Sequence, residues 1–138
     1  MPVITDDTQL RELLAKARVI AVVGHSDKPH RTSYQIARYL RRAGYRVIPV
    51  NPTVNSIDGE PAYPTLADVP EPIDIVNVFR RSEHLPGIVE AAAAVGAKAV
   101  WAQLGVYHEA AARFAEEAGL LLVMDRCIKI EHRRLFNR

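Results

Sequence analysis

The chain has 138 residues, a net charge of +2, and 49% apolar against 25% charged residues. That length supports one real core and the composition is that of an ordinary globular protein, while the charge is too small to mark a nucleic-acid binder by itself. One cysteine excludes an internal disulfide framework, and no apolar run approaches the ~20 residues of a membrane-spanning helix. The first residues carry no basic or hydrophobic signal region, so a reducing, cytoplasmic location is expected.

Asp6 or Asp7 can cap a first helix whose inner face is Leu10, Leu13, Leu14 and Ala17. Val19 to Val23 is a short, fully apolar, β-branched run, the pattern of a strand buried on both faces. Gly24 ends it, a polar loop follows, and a helix is predicted from about Ser33 to Ala43, with Ile36, Ala37 and Leu40 inward. Gly44 closes that helix, and Arg46 to Val50 is the next strand, broken by Asn51-Pro52. The stretch from 53 to 72 is rich in proline and is the least regular; a weak edge strand is expected near Glu60 to Tyr63 and one helical turn around Leu66 to Asp68.

Ile73 to Phe79 reads as a strand with Arg80-Arg81 at its end, and Ser82 as the cap of a helix that ends at Gly96. Ala99 to Gln103 is a strand with Trp101 in the core. A helix then runs from about His108 to Ala118, Leu120 to Met124 is the last strand, and Asp125-Arg126-Cys127 leads into a basic C-terminal helix. Strands alternating with helices of about ten residues give right-handed βαβ crossovers. The expected fold is therefore one α/β domain over 1–138, a doubly wound, mostly parallel Rossmann-like sheet in three layers with strand order 3-2-1-4-5-6.

In such sheets ligands bind beyond the carboxyl ends of the strands, at the switch point. The residues there are Gly24, Ser26, Lys28, Arg31, Thr32 and Ser33 after the first strand, and Asn51 and Pro52 after the second. Arg80 and Arg81 follow Phe79, Gln103 and Gly105 follow Ala102, and Asp125, Arg126 and Cys127 follow Met124. The cations on this edge point to a ligand with several phosphates, and a helix N-terminus after a glycine turn is a natural anion cradle. The ordinary alternative is that strand-end arginines pair with helix carboxylates. Neither G-x-G-x-x-G nor a Walker A motif occurs, so hydroxyls and cations stand where glycines usually do. An NAD site needs an acid after the second strand; Val50-Asn51-Pro52 has none, which leaves NADP or coenzyme A on charge grounds.

Five segments also carry a family likeness: Val22-Val23-Gly24-His25-Ser26, Tyr45 to Pro52, Val78-Phe79-Arg80-Arg81, Trp101 to Val106, and Met124 to Lys129. In this order they resemble the small stand-alone CoA-binding proteins, relatives of the CoA-binding domain of succinyl-CoA synthetase α chains. The resemblance implies a Rossmann-like CoA binder. The Gly24 to Ser33 loop would hold the diphosphate, Asn51-Pro52 and Phe79-Arg80-Arg81 would flank the adenosine, and Gln103, Gly105 and Val106 would line the pantetheine arm. The synthetase's second domain with its phosphorylated histidine has no counterpart here, so no catalysis is expected from this chain alone.

Cys127, beside Arg126 and Lys129, is the one thiol that could pair with the thiol of CoA, although a small buried inert cysteine is the commoner fate. His25 and His30 suggest a phosphate or solvent contact rather than a metal ligand, and His84, His108 and His132 suggest solvent exposure. No metal is expected. The expected partner is a small molecule, CoA or an acyl-CoA, without nucleic acid or membrane, and a homo-oligomer stays open. The alternatives are an NADP-dependent reductase, a CoA-ligase subunit, or a CoA-thiol redox sensor acting through Cys127.

Overall fold

The structure, a computed structural model, describes residues 3–136. Asp6 caps α1 (Asp7–Lys16) by accepting the Thr8 and Gln9 amide hydrogens at 3.3 Å. Five parallel strands form one sheet: β1 (Val19–Val23), β2 (Arg46–Val50), β5 (Ile75–Val78), β6 (Ala99–Ala102) and β7 (Leu121–Val123). Their order is β2-β1-β5-β6-β7, so the chain reverses direction across the sheet between β1 and β5. The helices α2 (Thr32–Arg42), α3 (Leu85–Ala94), α4 (Glu109–Ala118) and α5 (Ile128–Phe136) complete a three-layer α/β Rossmann-like fold.

Alternation along each strand divides the core between the two faces. Ile20, Val22, Ile75, Trp101 and Val123 face Leu10 and Leu14 of α1, Ile36 and Leu40 of α2, and Ile128 and Leu135 of α5. Ala21, Val76, Val78, Val100 and Leu122 face Leu85 and Val89 of α3 and Ala111 and Ala115 of α4. Both faces being covered is what makes these strands read as continuous apolar runs.

The expected third strand is reduced to a single residue. Tyr63 bridges Val50 in parallel, with its amide donating to Pro49 O at 3.0 Å and its carbonyl accepting from Asn51 N at 2.9 Å. Pro61 lacks an amide hydrogen and the Thr65 amide donates to Asp68 Oδ2 at 3.2 Å, so the ladder extends on neither side. The segment before it folds instead as a two-stranded antiparallel hairpin, β3 (Ser56–Ile57) and β4 (Glu60–Pro61), tied to α2 by the Tyr34 hydroxyl donating to Asp58. Leu66–Asp68 is a 3-10 turn, as expected.

Two further element boundaries differ from expectation. β5 starts at Ile75 rather than Ile73, because the Asp74 carboxylate turns to accept the Arg18 and Val19 amides at 2.8 and 3.0 Å. Burial pushes that carboxyl up, but these bonds and Lys98 outweigh it and hold it below its ordinary range. Ser82 opens a 3-10 turn (Ser82–His84) ahead of α3 rather than capping it.

Candidate functional site

The loops that leave the carboxyl ends of the strands fall into two laced groups. Those after β1 and β2 form the first. Asn51 donates from Nδ2 to His25 O at 2.9 Å, and its Oδ1 accepts from the Thr53 amide at 2.8 Å and hydroxyl at 2.7 Å. Those after β5, β6 and β7 form the second. Ser82 Oγ donates to Gly105 O at 3.2 Å and accepts from Tyr107 N at 2.9 Å, while Gly105 N donates to Asp125 Oδ1 at 2.7 Å. The groups meet at the switch point, where Gly24 has φ +87°. A Cβ on Gly24 would lie 2.5 Å from Phe79 O, so the glycine is demanded by the crossing backbone of β5's end.

The loop after Gly24 is closed at its neck. Ser26 N donates to Ser33 Oγ at 2.9 Å, and Lys28 N donates to Ser26 Oγ at 3.0 Å. Ser33 is buried with its oxygen occupied, so it shapes the loop, whereas Thr32 lies exposed at the first position of α2. Arg31 precedes the helix without a side-chain cap bond, and the first turn carries no acid. An uncapped helix start keeps its partial positive charge.

Lys28, Arg31 and Arg80 are exposed, and among the described residues none forms an ion pair with a carboxylate. Arg81 has only a loose, exposed pair with Glu83 at 3.9 Å. Arg126 belongs elsewhere: it binds the buried Glu131 at 2.8 Å, the strand-end pairing that competes with a ligand role. Burial pushes the Glu131 carboxyl up, yet hydrogen bonds from Arg134 and Arg126 hold it below its ordinary range.

The remaining expected residues divide by exposure. Pro52 and Gly105 are exposed, Phe79 is half-buried against the α1, α2 and α5 side of the core, and Val106 is buried. Gln103 is 5% exposed and its Oε1 accepts from Ile128 N at 3.0 Å, so it caps α5. Cys127 is buried at the entrance to α5, and its carbonyl accepts from Glu131 N at 3.0 Å.

His25 differs from expectation. It is fully buried, with Nδ1 at 2.8 Å from Ser26 O and Nε2 at 3.4 Å from the Arg41 guanidinium. The carbonyl requires the proton on Nδ1, leaving Nε2 to accept. Burial pushes the imidazole below its ordinary range, with the Ser26 carbonyl opposing in part. The partner on α2 lies 16 residues away, which no local pattern signals. His108 and His132 are also engaged: His108 Nδ1 accepts from Ala110 N at 3.1 Å to cap α4, and His132 Nδ1 lies 2.8 Å from the Tyr39 hydroxyl. Asn77, unremarked in the sequence, is fully buried in β5 with both amide atoms unpartnered.

A cavity of about 390 Å³ lies at the opposite edge, lined by Ile4, Leu13, Lys98 and Leu121 among others. Its lysines pair with Glu12 and Asp74, so it offers no uncompensated charge to a phosphate. Lys28, Arg31 and Arg80 lie at the other end of the strands.

Residues 18–133 match the model of the CoA binding domain. The chain belongs to this CoA-binding family. It is 45% identical over 124 residues to the uncharacterized protein YneT of Bacillus subtilis, covering 90% of this chain and 92% of that one. A hypothetical protein from Pyrococcus horikoshii superposes with a TM-score of 0.93 at 39% identity, over 96% of this chain and 94% of the other. The dinucleotide-forming acetyl-coenzyme A synthetase 1 of Ca. Korarchaeum cryptofilum matches with a TM-score of 0.73 at 28% identity, over 81% of this chain but 26% of its own. The CoA-binding family fold thus occurs both as a small chain and as part of a much longer one. Among the described residues no helix is long and apolar enough to cross a membrane, and no cluster of His, Cys, Asp and Glu could hold a metal.

Proposed function

We propose that this chain binds coenzyme A, free or acylated, at the carboxyl edge of its sheet. The diphosphate lies on the Gly24 to Ser33 loop and the N-terminus of α2. Asn51-Pro52 and Phe79-Arg80-Arg81 flank the adenosine, and the pantetheine arm runs along Gln103, Gly105 and Val106 toward Cys127. The observation that carries the reading is the set of unpaired cations, Lys28, Arg31 and Arg80, beside the uncapped start of α2 in a chain of the CoA-binding family. Cations without internal partners at an open helix start suit a polyphosphate. NAD is disfavoured because the residue after β2 is Asn51, whose side chain is already spent on His25 and Thr53.

The test is a thermal shift at low salt with CoA, dephospho-CoA, NADP and NAD. A ligand at 100 times its dissociation constant stabilises the fold by about 2.7 kcal/mol, worth several degrees here. CoA should shift the melt most and dephospho-CoA less. A shift by NADP with none by CoA sinks the reading.

The match to part of an acetyl-coenzyme A synthetase favours one second reading, a CoA-holding component of a ligase whose remaining parts lie on another chain. A stable complex with such a chain, isolated by size, would distinguish it from a stand-alone binder.

A further inference from the structure

Five buried polar or charged side chains occur among the described residues: His25, Ser33, Asn77, Gln103 and Glu131. Four of them have partners, namely the Ser26 carbonyl, the Ser26 amide, the Ile128 amide and two arginines. Asn77 has none for either Nδ2 or Oδ1. A buried amide without partners is costly, and a hydrocarbon of similar size would be cheaper. Its place in the fold suggests what meets it.

Asn77 stands in register between Val22 of β1 and Trp101 of β6. Alternation from Ile75 turns it to the face that holds Trp101, Cys127 and Ile128. On the neighbouring strand, Trp101 Nε1 donates to Arg126 O at 2.9 Å and Gln103 Oε1 accepts from Ile128 N, which moors the start of α5 there. Asn77 therefore lies just beneath the carboxyl edge, at the strand that borders the switch point and beside the entrance to α5. Asn77 offers a donor and an acceptor on one side chain, and no other buried side-chain nitrogen or oxygen is unpartnered among the described residues. A slim chain bearing both donors and acceptors matches that pair.

We infer that Asn77 binds the amide-bearing pantetheine arm of the ligand, a role that rests on the CoA reading. The arm carries two secondary amides in series. Nδ2 donates to a carbonyl of one and Oδ1 accepts the N–H of the other. Because Asn77 is fully buried, the arm reaches it only as side chains nearer the edge give way.

The experiment compares CoA with adenosine 3′,5′-bisphosphate, which has the nucleotide but no arm, by calorimetry on the wild-type chain and on Asn77→Leu. The expected result is an about tenfold loss of CoA affinity, the worth of one to two neutral hydrogen bonds, with bisphosphate affinity unchanged. The melting temperature without added ligand should hold or rise. Equal CoA affinity in a folded variant, or an equal loss for both compounds, overturns the inference. If Asn77→Leu fails to fold, Asn77→Val takes its place. A readout free of variants is the side-chain NH₂ pair of Asn77 in a ¹⁵N spectrum: it should move with CoA and stay with the bisphosphate, and no movement with CoA counts against the role. A wild-type chain that binds the bisphosphate or CoA nowhere overturns the CoA reading itself, an outcome distinct from the loss of arm selectivity.

Discussion

Two glycine-to-alanine changes should move stability in opposite directions. At Gly24 an added Cβ would sit 2.5 Å from Phe79 O and 3.2 Å from Phe79 C. The obstacle is backbone and is itself pinned, since Phe79 N donates to Val23 O and Gly24 N to Val50 O, each at 2.9 Å. The positive φ adds roughly 1–2 kcal/mol for any residue with a Cβ, and the overpacking about 1–3 kcal/mol. Together Gly24→Ala should cost about 2–5 kcal/mol, a large share of the ~5–15 kcal/mol that holds a domain together. At roughly 3–6 °C per kcal/mol, the melting temperature should fall by about 6–30 °C.

Gly87 lies in α3 without a positive φ, and nothing comes within 4 Å of the place a Cβ would take. There the same change should add about 0.5–1 kcal/mol, the usual gain of Ala over Gly in a helix. Urea denaturation with an unchanged slope, together with thermal melts, reads both variants. A Gly24→Ala protein that melts within about 2 °C of the wild type, or two variants that shift with the same sign, would refute the steric argument at the switch point.

Replacing Gln103 by Leu leaves the Ile128 amide unpaired at the buried start of α5, so the urea midpoint should fall by the equivalent of about 1–3 kcal/mol; an unchanged midpoint would show that the cap is dispensable. Burial holds His25 and His132 below the ordinary imidazole range in the folded chain, so below about pH 6.5 the unfolded state binds more protons and stability falls as the pH drops. His25→Gln should flatten that fall in denaturation curves taken between about pH 7 and pH 5.5, and an unaltered slope would remove His25 from the account.

Much of the candidate site was legible because a parallel sheet is a simple rule applied to local patterns. Apolar runs such as Val19 to Val23 and Ala99 to Ala102 give strands, helices between them give crossovers, and the residues after each strand then share one edge. On that basis Gly24, Lys28, Arg31, Asn51 and Arg80 could be placed together from sequence. The weak third strand was legible as weak, since the segment is rich in proline and Pro61 removes a donor the ladder needs.

The individual duties of those residues were not legible. Gly24 is a glycine because Phe79, 55 residues on, crosses it; Arg126 is spent on Glu131; Ser33 faces into its own loop; and His25 is sealed beneath Arg41. Periodicity and propensity report on neighbours along the chain, and they determined the elements, their order and the edge at which the cations gather. Which donor meets which acceptor across that edge depends on strand register and on helix docking at distances of ångströms. For that reason only the tertiary structure decided which cations are left unpaired, which polar groups are satisfied inside, and that Asn77 alone among the described buried side chains has nothing to bind.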